Sequence, residues 1–483
     1  MRKAGILMPV ASLPSSYGIG DFGPSSYQFI QLIKETGFKI WQILPLNPLG
    51  YGNSPYQPYS SKAMDECYIS LDLLKDEGLL KKVKPFNAKA NKVNYDEVRK
   101  YKETYLKEAY TNFKETNDYK KFASQQWLKN YAVFLTLKKA NEMKCWNEWP
   151  SEVKNWINDS SSYDITPFES EIKYEMFIQY ILLKQWNNLR KYANEHGIEV
   201  MGDIPIYVGI DSDDVWTYQQ GFLLDEDGKP TFIAGVPPDF FSDEGQRWGN
   251  PIYNWDQLEK DGFQFWLDRL AYSAKLFDTI RIDHFRAFDT YWKIPASCPT
   301  AIEGEWIEAP GYKLFDTIYE TYPKIKIVAE DLGDLRPEVL ILRDHFNLTG
   351  MRIVQHSFDT EKPMMDRDNL VAYTGTHDNE TVTVWYKNMS RKDKNKVNKY
   401  FKEHGYLFAN PVDNLIQYTL DTKAKYAILP MTDLLRKDDR SRINFPGTVG
   451  DPNWQWKMKD FVEYINRIDD IKKMLIHGKR IKQ

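Results

Sequence analysis

Asp283, Glu330 and Asp378 each close a short apolar run. The three runs are Thr279-Ile-Arg-Ile-Asp-His-Phe-Arg286, Ile325-Lys-Ile-Val-Ala-Glu-Asp-Leu-Gly333 and Val371-Ala-Tyr-Thr-Gly-Thr-His-Asp-Asn379. Acids at the carboxyl ends of parallel strands are where barrel enzymes keep their chemistry. Three such acids, with Arg281, His284 and His377 beside them, fit a machine that breaks and remakes glycosidic bonds. Reaction with retention needs two carboxyl groups about 5–5.5 Å apart, one attacking the anomeric carbon and one moving the proton. A short Asp suits the attacking role and a longer Glu the acid/base role, while a third carboxylate can grip ring hydroxyls. Arg281 lies two residues before Asp283, on the same strand face, where its fixed charge would orient that carboxylate and favour its ionised form. Taken singly, each segment equally fits a structural reading: an Arg–Asp pair, a Glu330-Asp331 strand-end cap, and a His377-Asp378-Asn379 turn. Their joint occurrence after strand-like runs favours one shared site.

Positioning those groups requires strands that end at one face. Eight apolar runs of strand length recur: Gly5–Val10, Ile40–Leu46, Glu199–Val208, Thr279–Phe285, Ile325–Leu332, Met351–Ser357, Val371–Thr376 and Ala427–Asp433. Most are continuous rather than alternating, as expected of strands covered on both faces. The pattern predicts an α/β chain, a (β/α)₈ TIM barrel of 1–483 as one catalytic domain. The long gap after the second run predicts a helical insertion over 62–175, where Val98, Tyr101, Tyr105, Ala109 and Phe113 step by three or four, as do Tyr131, Phe134 and Leu135. A second insertion over 210–263, rich in Gly, Pro, Asp and aromatics, reads as loops that form part of a cleft.

Composition narrows the partners. A net charge of -4 over 483 residues gives no field for nucleic acid or anionic membranes. No apolar stretch reaches the ~20 residues of a spanning helix. The opening Met1-Arg-Lys-Ala-Gly-Ile-Leu-Met-Pro-Val10 is short and contains Pro9, so it reads as a first strand rather than a secretory signal. Cys67, Cys145 and Cys298 are odd in number and widely spaced, which fits a reducing, cytoplasmic setting and neither a disulfide framework nor a zinc site. The seven histidines form no H-E-x-x-H pattern, so neither metal nor cofactor is expected. Tyr, Phe and Trp number 31, 25 and 15, enough to line a sugar cleft as well as a core. No signal fixes an oligomeric state.

The segments Arg281-Ile-Asp-His-Phe-Arg286, Ala329-Glu-Asp-Leu-Gly333 and Thr374-Gly-Thr-His-Asp-Asn379 closely resemble those of the 4-α-glucanotransferases, the amylomaltase or disproportionating-enzyme family. So do Gly202-Asp-Ile-Pro-Ile-Tyr-Val208, Asp211-Ser-Asp-Asp-Val-Trp216, Ala234-Gly-Val-Pro-Pro-Asp239 and Gly249-Asn-Pro-Ile-Tyr253. The resemblance runs from Ser54-Pro-Tyr-Gln57 to Asn453-Trp-Gln-Trp456. It implies an amylase-like barrel and a retaining double displacement on α-1,4-glucans. In that reading Asp283 is the nucleophile, Glu330 the general acid/base and Asp378 the transition-state-stabilising aspartate. Tyr56, Asp203, Arg281 and His377 would hold the sugar beside the attacked carbon, and Trp248 would lie on the acceptor side. Ala287, Asp65-Glu-Cys67 and Thr432 depart from the family's usual residues without removing a catalytic group. The carboxylates alone do not choose between a glucan or glucose acceptor and water; transfer follows from the resemblance. The same residues leave open an α-1,4-glucan hydrolase and a non-catalytic glucan-binding protein. Ala234–Tyr253 and Arg442-Ile-Asn-Phe-Pro-Gly-Thr448 have the composition of lids over such a cleft.

Overall fold

A computed structural model describes residues 2–238, 242–358 and 367–482. Its strands, in chain order, are β1 (Lys3–Leu7), β2 (Ile40–Gln42), β3 (Glu199–Ile204), β4 (Phe232–Val236), β5 (Gln246–Pro251), β6 (Thr279–Ile282), β7 (Thr290–Pro295), β8 (Glu305–Glu308), β9 (Ile327–Ala329), β10 (Gly350–Ile353), β11 (Leu370–Tyr373) and β12 (Tyr426–Pro430). Eight of them pair in parallel in the order β10-β11-β12-β1-β2-β3-β6-β9. A single parallel bridge between Val328 and Thr349 spans the remaining gap, which leaves a nearly closed barrel. All eight apolar runs of the sequence are barrel strands.

Each strand stops three or four residues before its apolar run does. The overhanging residues, such as Ile43 and Leu44 after β2 or Ile206, Tyr207 and Val208 after β3, are buried in loops packed on the barrel rim. Burial dictates apolar character there without ladder pairing.

Alternation sorts the strand residues between two layers. Leu7, Met201, Val328, Met351, Ile353, Val371, Tyr373 and Ile428 form one buried cluster inside the barrel. Ile6, Val200, Ile280, Ile282, Ile327 and Leu429 belong to the larger core beneath the surrounding helices. Tyr373 inside the barrel donates to Gln42 Oε1 at 2.8 Å, so its polar tip is satisfied.

Between β2 and β3 lie the helices Leu71–Asp76, Tyr95–Asn112, Asn117–Ala123, Gln126–Ala140 and Glu169–Glu195. Asn94 caps Tyr95–Asn112 by accepting from Glu97 N, and Val98, Leu106 and Ala109 give that helix its buried stripe. The expected boundary at residue 175 falls inside the unbroken 27-residue helix Glu169–Glu195, whose buried face, Phe177, Ile178, Ile181, Leu182, Trp186 and Leu189, runs on into the barrel core. Gln179 exchanges two hydrogen bonds with the Met64 backbone (2.9 and 2.8 Å), and Gln185 two with Ser70 (2.8 and 3.1 Å). At its far end Arg190 meets Asp278, next to β6, at 2.6 Å.

The stretch 210–263 differs from the all-loop expectation. It carries β4 and β5, which join β7 and β8 in a four-stranded antiparallel sheet ordered β5-β4-β7-β8. Asp239, the last residue of the Ala234–Asp239 segment, lies outside the described residues.

Candidate active site

The register of β3 against β6 sets Asp203 directly opposite Arg281. Arg281 Nη1 reaches both Asp203 oxygens at 2.7 Å, and its Nη2 lies 3.0 Å from Asp283 Oδ1. One guanidinium thus orients two carboxylates, a fork geometry that lysine lacks. Burial works against the Arg281 cation, but Asp203 and Asp283 outweigh it and push its pKa further up. Tyr56, on the loop after β2, donates to Asp203 Oδ2 at 2.8 Å. Burial, then the Asp203 charge, pushes its hydroxyl well above the usual tyrosine range, so Tyr56 remains a donor. Gly202 is required next to Asp203, because a Cβ there would meet the Phe277 ring at 2.2 Å.

Asp283 and Glu330 are each the first residue after their strands, β6 and β9. Past Asp283 the chain turns through His284 in the left-handed region (φ 52°). That turn aims the His284 amide at Glu330 Oε2, 2.7 Å away. Burial and then the Asp283 charge push the Glu330 carboxyl well above the ordinary carboxylate range. Burial drives the His284 imidazole down to about 4, so the ring is neutral at physiological pH. Trp248, on β5, meets this ring edge-on at 4.8 Å between centroids. The second insertion therefore reaches the residue adjoining Asp283.

Asp378 lies five residues beyond β11, in a turn. His377 stacks on Tyr56 with centroids 5.1 Å apart and planes 13° from parallel, and its Nε2 lies 3.3 Å from Asp378 Oδ2. Its buried Nδ1 has no hydrogen-bond partner among the described residues. Trp454 packs beside both rings, at 5.8 Å from Tyr56 and 5.9 Å from His377. Seven of the eight sequence-predicted residues are thus linked by direct contacts or by the Asp283–Glu330 charge interaction, and Trp248 joins them through His284.

Three neighbours carried no assigned role in the sequence reading. Asn444 Nδ2 donates to Asp378 Oδ1 at 2.6 Å, Arg442 Nη2 donates to Asp378 O at 2.8 Å, and Trp454 flanks the rings. Asn444 and Arg442 sit in a segment whose Pro and Gly content marks a loop but not a contact. Asp331, beside Glu330, is structural: Met351 N donates to it at 2.6 Å and Arg343 pairs with it in the interior. Asp65, one of the departures from the family, is also structural. It holds Leu49 N and Cys67 N at 2.9 Å each and Arg99 at 2.6 Å, joining the helical insertion to the barrel.

This arrangement can do acid–base and nucleophilic work on one bond. Asp283 lies beside the fixed Arg281 cation, and burial together with the Asp283 charge raises the Glu330 carboxyl above the ordinary range. Among the described residues no group of three or more His, Cys, Asp or Glu could hold a metal ion, and no helix is long and apolar enough to cross a membrane.

A family model described as 4-α-glucanotransferase matches residues 8–463. The chain belongs to the 4-α-glucanotransferase family. Relatives within that family include the 4-α-glucanotransferase of Aquifex aeolicus, 40% identical with both chains covered in full. That of Thermus thermophilus is 39% identical over 95% of each chain. An amylomaltase from Streptococcus agalactiae, solved in complex with acarbose, superposes with a TM-score of 0.92 at 36% identity, covering 99% of this chain and 100% of its own. Amylomaltase from Corynebacterium glutamicum, at 16% identity and a TM-score of 0.76 over 99% of this chain and 75% of its own, shares the fold. Members of the 4-α-glucanotransferase family are retaining transferases, and this chain is one of them.

Proposed function

We propose that the chain cleaves an α-1,4-glucan by attack of Asp283 on the anomeric carbon, through a covalent glycosyl-enzyme, and passes the glucan to the 4-OH of an acceptor glucan or glucose. Glu330 gives its proton to the bridging oxygen as that bond breaks and the Asp283–carbon bond forms. The resulting Glu330 carboxylate then takes the acceptor hydroxyl's proton as the acceptor oxygen displaces Asp283. Asp378 braces ring hydroxyls, with Tyr56, Asp203, Arg281 and His377 holding the same sugar. His377 Nδ1, buried and without a partner among the described residues, is suited to a sugar hydroxyl. Trp248, in the 210–263 insertion, offers an apolar face on the acceptor side. The observation that carries this reading is the different surroundings of the two acids. Glu330 is pushed up by burial and by Asp283, while Asp283 has the Arg281 guanidinium 3.0 Å away.

The test is chromatography of products from pure maltotriose, without added metal or cofactor. Glucose together with longer maltodextrins is the expected result. Steady accumulation of reducing ends without longer products would make water the acceptor and the chain a hydrolase. No conversion, with binding retained in an Asp283→Ala variant, would leave a glucan-binding protein. The unpaired cysteines Cys67, Cys145 and Cys298 are suited to a reducing cytoplasm, where such glucans are turned over.

A further inference from the structure

We infer that Asn444 is a positioning residue of the reaction, fixing which oxygen of Asp378 is presented to the sugar. The inference rests on the reading of Asp378 as the brace. Asp378 stands in a loop, with its side chain 43% exposed, so the barrel itself does not lock its rotamer. Two groups hold the carboxylate. Asn444 Nδ2 donates to Oδ1 at 2.6 Å, and His377 Nε2 lies 3.3 Å from Oδ2. An ionised carboxylate only accepts hydrogen bonds, so the Asn444 amide must present its NH₂. That bond favours a single rotamer of Asp378.

The pin is itself tied down. Asn444 N donates to His377 O at 3.1 Å, so the same residue holds the backbone of the other sugar-facing side chain. Arg442 donates from Nη2 to Asp378 O and from Nε to Asn444 O, both at 2.8 Å, and stacks over Phe445 at 4.5 Å. Phe445 N donates to Asn453 Oδ1 at 2.7 Å, and Trp454 N to Ile443 O at 2.6 Å, closing the 442–454 segment on itself. A segment braced at both ends, with one amide aimed at one carboxylate oxygen, supplies alignment rather than bulk packing.

The test is a double-mutant cycle between Asn444→Ala and Asp378→Asn, read with an α-maltosyl fluoride donor, whose leaving group needs no protonation. Asn444→Ala is expected to lower kcat by about tenfold to a hundredfold with KM changed less than about threefold, the size of one charge-assisted hydrogen bond lost in the transition state. In the Asp378→Asn background the same substitution should change kcat less than about twofold. Asn444→Ser keeps a short donor and should recover part of the rate; it also serves where the alanine variant melts early by circular dichroism. Equal losses in both backgrounds, or an unchanged kcat in Asn444→Ala, would overturn the inference. If Asp378→Asn itself keeps full activity, the brace reading fails instead, and the two failures are told apart.

Discussion

The two halves of the site are built differently. Asp203, Arg281, Asp283 and Glu330 sit on strands or one residue past them, and cross-strand register brings Asp203 and Arg281 together. Tyr56, Trp248, His377 and Asp378 stand on loops or on the outlying antiparallel sheet; Tyr56 reaches the strand residue Asp203, while His377 and Asp378 are held by Tyr56 and Asn444 from other loops. The strand half is preorganised by the barrel. The loop half can be retuned without touching the barrel, because its geometry depends on contacts such as Tyr56 on His377 and Asn444 on Asp378. On the proposed reading the two reacting acids, with Asp203 and Arg281, rest on the stiff part and the remaining sugar-contacting groups on the adjustable part.

The largest effect should come from the strand half. Asp283→Ala or Glu330→Ala is expected to lower kcat/KM on maltotriose by on the order of 10⁴ or more, with unchanged circular dichroism, because each removes a reacting group. A loss of under tenfold in either would break the division.

Arg281→Met comes next and should hurt both function and stability. It leaves Asp203, fully buried, without its bidentate partner. The expected cost is about 3–5 kcal/mol of stability, with activity falling by at least about a hundredfold, read by urea titration and initial rates. Arg281→Lys should recover only part of this, since an ammonium does not span both carboxylates.

Trp248→Ala tests the loop half. Its ring touches His284 but no reacting carboxylate, so the acceptor KM should rise about tenfold while cleavage of an activated donor changes less. Comparable loss in both would place Trp248 nearer the reacting carbon than proposed.

The smallest effect concerns the join between the halves. Asp433, buried just past β12, accepts from Thr374 Oγ1 at 2.6 Å and Val382 N at 2.9 Å, and so clamps both ends of the loop bearing His377 and Asp378. Burial raises its pKa from 3.8 to about 6. Folding therefore favours the protonated form, and its ionisation erodes stability as pH rises from about 4 to about 6, by up to about 3 kcal/mol. Asp433→Asn should melt like the wild type near pH 4 and gain a few degrees above pH 6. A difference independent of pH would mean that this carboxyl does not titrate with folding.

Arg281, Asp283 and Glu330 on the strands were legible in the sequence, and His377 and Asp378 were read the same way from the apolar run before their loop. A barrel strand announces itself as an apolar run, and an Arg, Asp or Glu at its end is conspicuous because charge is costly there. The overrun of every strand by three or four residues has the same origin, since buried rim loops are as apolar as strands. The β4–β5 pair escaped notice because Trp248, Gly249 and Pro251 within Gln246–Pro251 obscure its alternation. Asn444 escaped because an amide in a Pro/Gly loop carries no periodicity, and only folding shows which oxygen it meets. Tyr56, Asp203 and Trp248 came from resemblance alone; their linkage to the acids is visible only in three dimensions.

The helix Glu169–Glu195 acts as a girder rather than a hinge. With Gln179 and Gln185 riveting one stretch to residues 64 and 70, and Arg190 anchoring the other to Asp278, the helical wall cannot swing away from the barrel without shearing buried bonds. Accommodation of short and long chains consequently falls to the rim loops, and shape changes on glucan uptake should be local and measured in single side chains.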